Sequence, residues 1–422
     1  MKSLLITSVK VILPGNEYHQ QTVDVFIEKG KIAQIGNTIK VADKNVETID
    51  GTGKVLSPGF FDLHANFGEP GLETKEDIRT GTAAAAAGGF TAVAVMPNTE
   101  PAIQSRSEVA LVVNAAKGNI VDVHPIGAIS KKREGKEMAE LYDMKQNGAV
   151  AFSDGNKSVQ QAGLMSRALL YAKGFEGLIF SHAEDESMAG GNKMNEGTMS
   201  TYLGMKGIPN LAESLMVSRD LYLAEYTEAP IHFASISTPE AVDLIKKAKT
   251  KGLRVTCDVA AHQLVFTDED IVGFDSNYKV SPPLRTKADA KALIKGVKDG
   301  VIDAVVSQHT PQEIEYKNVE FHIAKNGIIG LQTVLPLLVR AGLNEEQIVN
   351  SLAVRPRQIL GLAIPQIREG AIANLVLFDL AKSWNFDEKT NRSKSKNSPL
   401  FGQTLKGAVE LVINNNQIIK ND

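Results

Sequence analysis

Apolar positions along this chain change their spacing twice. In residues 1–56 they alternate with polar ones or cluster in short runs rich in β-formers: Leu4–Ile12, Thr22–Glu28, Lys31–Ile35 and Thr48–Asp50, with Gly30, Gly36 and Gly51 between them. The same texture returns near residues 368–422, in Ala373–Phe378, Leu405–Gly407 and Val409–Ile419. Between these ends, short β-rich apolar runs alternate with helical stretches. The runs are Gly59–His64, Thr91–Met96, Asp122–Ile129, Ala149–Ser153, Leu178–His182, Ile231–Ser235, Leu253–Val259 and Ile302–Ser307. Helix-like segments, such as Ala83–Ala87 and Ser237–Lys251, separate them, and Thr238-Pro239-Glu240 reads as a helix start. Strands alternating with helices predict a parallel sheet with crossover helices. Eight such units predict a closed α/β barrel of the (β/α)8, TIM-like type, because open sheets more often stop at five or six strands.

The expected organisation is therefore a barrel over residues 57–367 and a small β-sandwich domain composed of residues 1–56 and 368–422. The polar stretch Lys389–Asn397 reads as a surface loop.

Composition adds exclusions. A net charge of -3 gives no basic footprint for nucleic acid or a membrane surface. Cys257 is the one cysteine, so no internal disulfide can form, which fits a reducing compartment. No apolar run reaches membrane-spanning length, and the N-terminal segment lacks a cleavage-site pattern, so a cytoplasmic location is expected.

In a barrel of this kind, chemistry collects where the strands end. The runs here end in Asp62-Leu63-His64-Ala65-Asn66, Met96-Pro97-Asn98-Thr99, Ser153-Asp154-Gly155, His182-Ala183-Glu184-Asp185 and Ser307-Gln308-His309. Taken singly, a strand-end histidine is more often a hydrogen-bonded framework residue, and Asp-Gly is more often a turn. Taken together, His64, Asp154, His182 and His232 offer the imidazole and carboxylate donors that bind zinc and similar divalent ions. They are the candidate metal ligands. His124, His309 and His322 are assigned to structure.

These motifs resemble those of the bacterial type I dihydroorotases, within the amidohydrolase superfamily. That family carries Asp-x-His-x-His-x-Arg-Glu-Pro-Gly followed by Met-Pro-Asn-Thr. Here the matching residues run Asp62 to Asn66, Glu69-Pro70-Gly71 and Met96 to Thr99. The likeness continues through Ala151-Phe152-Ser153-Asp154, His182-Ala183-Glu184-Asp185, Ser281-Pro282-Pro283-Leu284-Arg285, Gly330-Leu331-Gln332-Thr333 and Gly370–Asp379. The resemblance implies the interconversion of N-carbamoyl-L-aspartate and L-dihydroorotate in pyrimidine biosynthesis. It implies zinc as cofactor, with His64 on the more buried metal, Asp154 serving either metal, and His182 and His232 on the second. It implies substrate contacts from Asn98 and His262.

The likeness breaks where the chemistry would be. Asn66 replaces the second histidine of the His-x-His pair, and a neutral amide oxygen is a poorer zinc ligand than imidazole. Gln308 stands at the family's catalytic aspartate and cannot accept a proton near neutral pH. Gly68 replaces the arginine before Glu-Pro-Gly, removing a bidentate partner for a substrate carboxylate. Ser281 and the stretch Ala324-Lys325-Asn326-Gly327 depart as well.

No catalytic set is intact on this reading, and at most one partial zinc site is expected, at Asp154, His182 and His232. The function expected from the resemblance is that of a catalytically impaired or inactive dihydroorotase homologue acting as a partner subunit of aspartate transcarbamoylase. The alternative is an active dihydroorotase or related cyclic amidohydrolase with an altered one-zinc site. Hydantoinases and allantoinases fit less well, because they usually carry a carboxylated lysine where this chain has Asp154. The resemblance also suggests a homodimer, although no interface signal stands out in the sequence.

Overall fold

Eight parallel strands follow one another around the barrel in chain order. The computed structural model describes residues 3–41, 46–191 and 193–421. The barrel strands are β1 (Phe60–Ala65), β2 (Phe90–Val95), β3 (Asp122–Gly127), β4 (Ala151–Phe152), β5 (Ile179–Ser181), β6 (Ile231–Phe233), β7 (Val255–Ala260) and β8 (Ala304–Val306). Closure comes from a parallel bridge between Ala65 and His309, and from the Asp62 carboxylate, which accepts the Ser307 N–H at 2.8 Å.

The seven main crossover helices are α1 (Ile78–Ala87), α2 (Arg106–Ala115), α3 (Leu141–Gln146), α4 (Ala162–Lys173), α5 (Asn210–Thr227), α6 (Pro239–Thr250) and α7 (Lys287–Lys298). Their starts are written locally. Asp77 caps α1 in a reciprocal box with Thr80, Ser105 caps α2 with Glu108, and Thr286 caps α7 with Asp289. Thr238 caps α6 ahead of Pro239, as its sequence predicts.

The barrel is a packed core rather than a pore. Phe61, Leu63, Phe180, Ile126 and Val306 belong to an inner apolar cluster with small partners such as Ala92, Ala94 and Ala304. A second, larger cluster fills the space between strands, helices and the chain-end sheet. Because both faces of the strands are covered, β1 and β2 are buried at every position, the polar Asp62 and His64 of β1 included.

Both chain ends contribute to one further eight-stranded sheet. It contains Leu4–Val11, Thr22–Glu28, Lys31–Gly36, Glu47–Asp50 and Val55–Pro58 from the first end, with Leu375–Phe386, Gln403–Asn414 and Gln417–Lys420 from the second. Val55–Pro58 pairs antiparallel with Leu375–Phe378, which joins the two ends.

Two expectations change here. The run Val409–Ile419 is not one strand: it breaks into a hairpin at Asn415 and Asn416, whose φ values of 50° and 57° suit the tight turn that asparagine favours. The stretch Lys389–Asn397 is not a free surface loop. Ser395 and Asn397 are buried, the Ser393 hydroxyl donates to Glu76, and the Asn397 amide donates to the Thr310 carbonyl at 3.0 Å. Its polar side chains anchor it to the barrel mouth, so hydrophilic composition here marks hydrogen bonding rather than solvation. Among the described residues, no helix is long and apolar enough to cross a membrane.

Candidate functional site

The barrel's inward strand-end residues meet in a buried polar patch. His64 lies at the end of β1, and its Nδ1 is 3.2 Å from the Ser235 hydroxyl, just beyond β6. The Ser235 N–H donates to the Asp258 carboxylate at 2.6 Å. The other oxygen of Asp258 meets His232 Nε2 at 2.9 Å, while His232 Nδ1 meets the Thr256 hydroxyl at 2.9 Å. Both ring nitrogens of His232 are thus engaged by neighbours on the next strand. The ring of His232 packs on Phe180 with centroids 4.2 Å apart. The side chain from this strand that reaches His64 is therefore Ser235, not His232.

Asp154, beyond β4, is also occupied. Its carboxylate accepts the Ser130 N–H at 2.9 Å and the Ser130 hydroxyl. Burial raises its pKa above the usual carboxylate range, opposed by those bonds and by Arg133. His182, beyond β5, is buried with an unpartnered Nε2. Its carbonyl accepts from Ser158.

The four candidate ligands thus divide. His64 and His182 keep a ring nitrogen available, Asp154 keeps acceptor capacity beside its bonds to Ser130, and His232 has both ring nitrogens engaged. Among the described residues no three His, Cys, Asp or Glu side chains converge as a metal cage. The donor set as placed does not fit a metal ion, because its members do not converge and His232 would have to give up its buried hydrogen bonds first.

The substituted positions are built into the wall. The Asn66 amide donates to the His309 carbonyl and the Thr310 hydroxyl, each at 3.0 Å, and Asn66 Oδ1 accepts from Asn98 at 2.7 Å. Asn98 turns its own oxygen, without a hydrogen-bond donor, toward Gly155. A Cβ at Gly155 would lie 1.8 Å from that oxygen, so the Asp-Gly turn is required by the close approach as well as by its φ of +66°. Gln308 sits at φ 47° and donates its amide to the Ser281 carbonyl at 2.8 Å. His309 is a framework residue: one ring nitrogen accepts the Gly330 N–H and the other meets Glu76 at 3.3 Å.

Sequence reasoning did not single out Ser235 or Asp258. The available signal was a carboxylate inside the apolar run Leu253–Val259, which nothing but a buried partner would tolerate.

Burial dominates the electrostatics. His64 is pushed down to about 4, chiefly by desolvation, with Asp258 opposing and His182 and His232 reinforcing. His262, buried with an unpartnered Nε2, is pushed down to about 3 by desolvation and by His64. Asp62 is raised to about 6 by burial, against its bonds to Ser307.

The pH dependence follows. A histidine whose folded pKa is depressed below 6.5 contributes stability that is intact above 6.5 and lost as pH falls through the folded value. Asp62 acts oppositely, losing stability as pH rises from about 4 through about 6. His262→Gln removes one histidine contribution and leaves Asp62 alone. The melting temperature of this variant is expected to fall less between pH 7.5 and pH 5 than that of the wild type. Equal falls in the two proteins would count against a neutral buried His262.

Comparison with known proteins adds ancestry. The family described as Dihydro-orotase-like matches residues 53–241. The chain is 43% identical over 403 residues to the dihydroorotase of Acetivibrio thermocellus, covering 94% of each chain. It is 42% identical over 422 residues to that of Trichlorobacter lovleyi, covering 99% of each. Among solved structures it superposes on L-hydantoinase from Arthrobacter aurescens with a TM-score of 0.87 at 23% identity, covering 100% of this chain and 96% of that one. Dihydropyrimidinase from Brevibacillus agri gives 0.82 at 23% identity, with 99% and 95% covered. These structures share the fold of this chain.

Proposed function

The chain belongs to the dihydroorotase family, and from that premise we propose that it is a catalytically impaired member that serves as a partner subunit of aspartate transcarbamoylase. The observation that carries the impairment is Gln308. Its amide is spent on the Ser281 carbonyl, and the segment Ser307-Gln308-His309 after β8 contributes no carboxylate of its own to move a proton. Asn66, fixed between Asn98, His309 and Thr310, supports the same reading, as does Ser235 in contact with His64.

Zinc would be the cofactor of the family reaction. To bind it, His232 would have to leave Asp258 and Thr256. What remains of the site can still bind by hydrogen bonds. Asn98 and His262 each keep a buried polar atom without a partner and are the residues proposed to contact a small ligand, Asn98 after turning its oxygen away from Gly155.

The test is turnover of N-carbamoyl-L-aspartate by the purified chain with added zinc. Loss of a general base alone costs about 10²–10⁴ in rate, and turnover at least that far below an active dihydroorotase is expected. Measurable turnover that His182→Ala abolishes would overturn the reading. It would favour the alternative of an active cyclic amidohydrolase with one zinc, for which the free His182 Nε2 is the supporting observation. The partnership is tested by co-expression with aspartate transcarbamoylase of the same host. Co-elution as a larger complex supports it, and two separate peaks sink it.

A further inference from the structure

The stretch Ala324-Lys325-Asn326-Gly327, where the chain departs from the dihydroorotase pattern, is held by two buried lysines. The Lys279 Nζ donates to the carbonyls of Phe321, His322 and Ala324, which takes all three hydrogens of an ammonium group. The Lys317 Nζ donates to the carbonyls of Lys325 at 3.0 Å and Gly327 at 3.1 Å. Between those two, the Gln312 amide donates to the Asn326 carbonyl at 2.8 Å. Lys317 and Gln312 therefore grip three consecutive carbonyls from neighbouring positions. No carboxylate is among these partners, although a buried lysine is ordinarily paired with one.

Holding this stretch uses less than the two side chains offer. Two bonds occupy both hydrogens of a neutral Lys317 amine and leave its lone pair unused. The Gln312 Oε1 is buried and has no hydrogen-bond partner. Both residues line a groove of about 1030 Å³ beside the barrel mouth, with Phe274, Ile314 and Val319 as its apolar wall. Burial, with the Lys279 charge second, pushes the Lys317 amine down to about 7, and the charge of Asp275 opposes them. An amine desolvated beside a second cation is the arrangement that makes lysine a nucleophile near neutral pH.

The geometry points to Lys317 as a covalent binding site for a small uncharged aldehyde that carries a hydroxyl group. The lone pair attacks the aldehyde carbon, a proton passes from nitrogen to oxygen, and loss of water leaves an imine, with no oxidant or reductant consumed. When protonated, the imine keeps one N–H for the carbonyl of Lys325 or Gly327, and Asp275 offsets its charge. The hydroxyl of the ligand donates to Gln312 Oε1, the acceptor left free. An anionic aldehyde fits less well. The other lysines of the groove, Lys394 and Lys396, are already paired with Asp77 and Glu388, while Asp275, Glu313 and Glu320 add negative charge.

Trapping on the wild-type chain is the test, so it does not depend on a variant folding. The purified protein is treated with glycolaldehyde and cyanoborohydride near neutral pH, and the labelled lysines are mapped by mass spectrometry of peptides. Lys317 is expected to label at least about tenfold faster than exposed Lys291 on α7, because an ordinary lysine of pKa ~10.4 is almost wholly protonated there. The ratio of the two rates is expected to fall as pH rises from about 7 to about 10, as exposed lysines lose their protons. Gln312→Leu is expected to slow labelling of Lys317 by glycolaldehyde and to leave labelling by acetaldehyde, which has no hydroxyl, unchanged. Labelling of Lys317 no faster than that of Lys291 overturns the proposal, as does a ratio that does not change with pH. Equal slowing of both aldehydes in Gln312→Leu overturns the assignment of the hydroxyl to Gln312.

Discussion

Glu213→Ala is expected to destabilise the folded chain by about 3–5 kcal/mol, the range for removing one partner of a buried, hydrogen-bonded charge pair. Glu213 lies on the buried side of α5 and gathers the turn between β6 and α6. Its carboxylate accepts the N–H groups of Ser237 at 2.9 Å and Thr238 at 3.0 Å, and the Thr238 hydroxyl at 2.8 Å. Arg285 lies 3.9 Å away and is itself buried, with its remaining donors on Ser237, Asn195 and the Ile208 carbonyl. Alanine would leave two backbone donors unpaired and the guanidinium without its nearest carboxylate. Glutamine keeps one acceptor but turns an NH2 group toward the donors, so an intermediate loss is expected. Urea unfolding and thermal melting check this, with a fall in melting temperature of roughly 5 °C or more for the alanine variant. A loss below about 1 kcal/mol would show that water or a side-chain shift replaces the carboxylate.

The same region shows why the fold was more legible than the site. All eight barrel runs correspond to strands, because burial on both faces favours apolar β-formers along them even where a polar residue such as Asp62, His232 or Asp258 intervenes. Capping residues such as Thr238 and Thr286 act within one turn of chain, so they too can be read locally. The polar interior is different. His232 looked like a ligand because histidine at a strand end suits a metal. What decides its role is Asp258, twenty-six residues away on the next strand, and Thr256 beside it. Asp154 is likewise decided by Ser130. The anchoring of Lys389–Asn397 by Glu76 and Thr310 spans more than three hundred residues in the first case, and no local pattern encodes it. Burial patterns are local properties summed along a strand, whereas hydrogen-bond partners across a barrel mouth are set by closure.

That dependence on partners governs what it would take to restore chemistry. Gln308→Asp returns the family's carboxylate to the end of β8, and if the missing base were the sole defect the rate should rise by about 10²–10⁴. A gain of less than about tenfold is expected instead. The new carboxylate cannot donate to the Ser281 carbonyl, which loses the amide it now accepts, at a cost of about 1–3 kcal/mol. Asn66 remains fixed by three partners, and Asp154 and His232 remain bonded to Ser130 and Asp258. Returning the arginine at Gly68 meets a further obstacle. Gly68 has φ +72°, and a Cβ there would lie 2.5 Å from the Leu72 carbonyl oxygen and 2.7 Å from that of Glu76. Any side chain at 68 therefore forces the backbone of residues 68–76 to move, beyond the roughly 1–2 kcal/mol that left-handed backbone costs a non-glycine residue. The measurement is turnover and melting of Gln308→Asp beside the triple variant Asn66→His, Gly68→Arg, Gln308→Asp. Both are expected to melt below the wild type, with the triple variant lowest. A hundredfold gain from Gln308→Asp alone would mean that the buried bonds to Asp154 and His232 yield easily to a metal, and that the site is one substitution from activity.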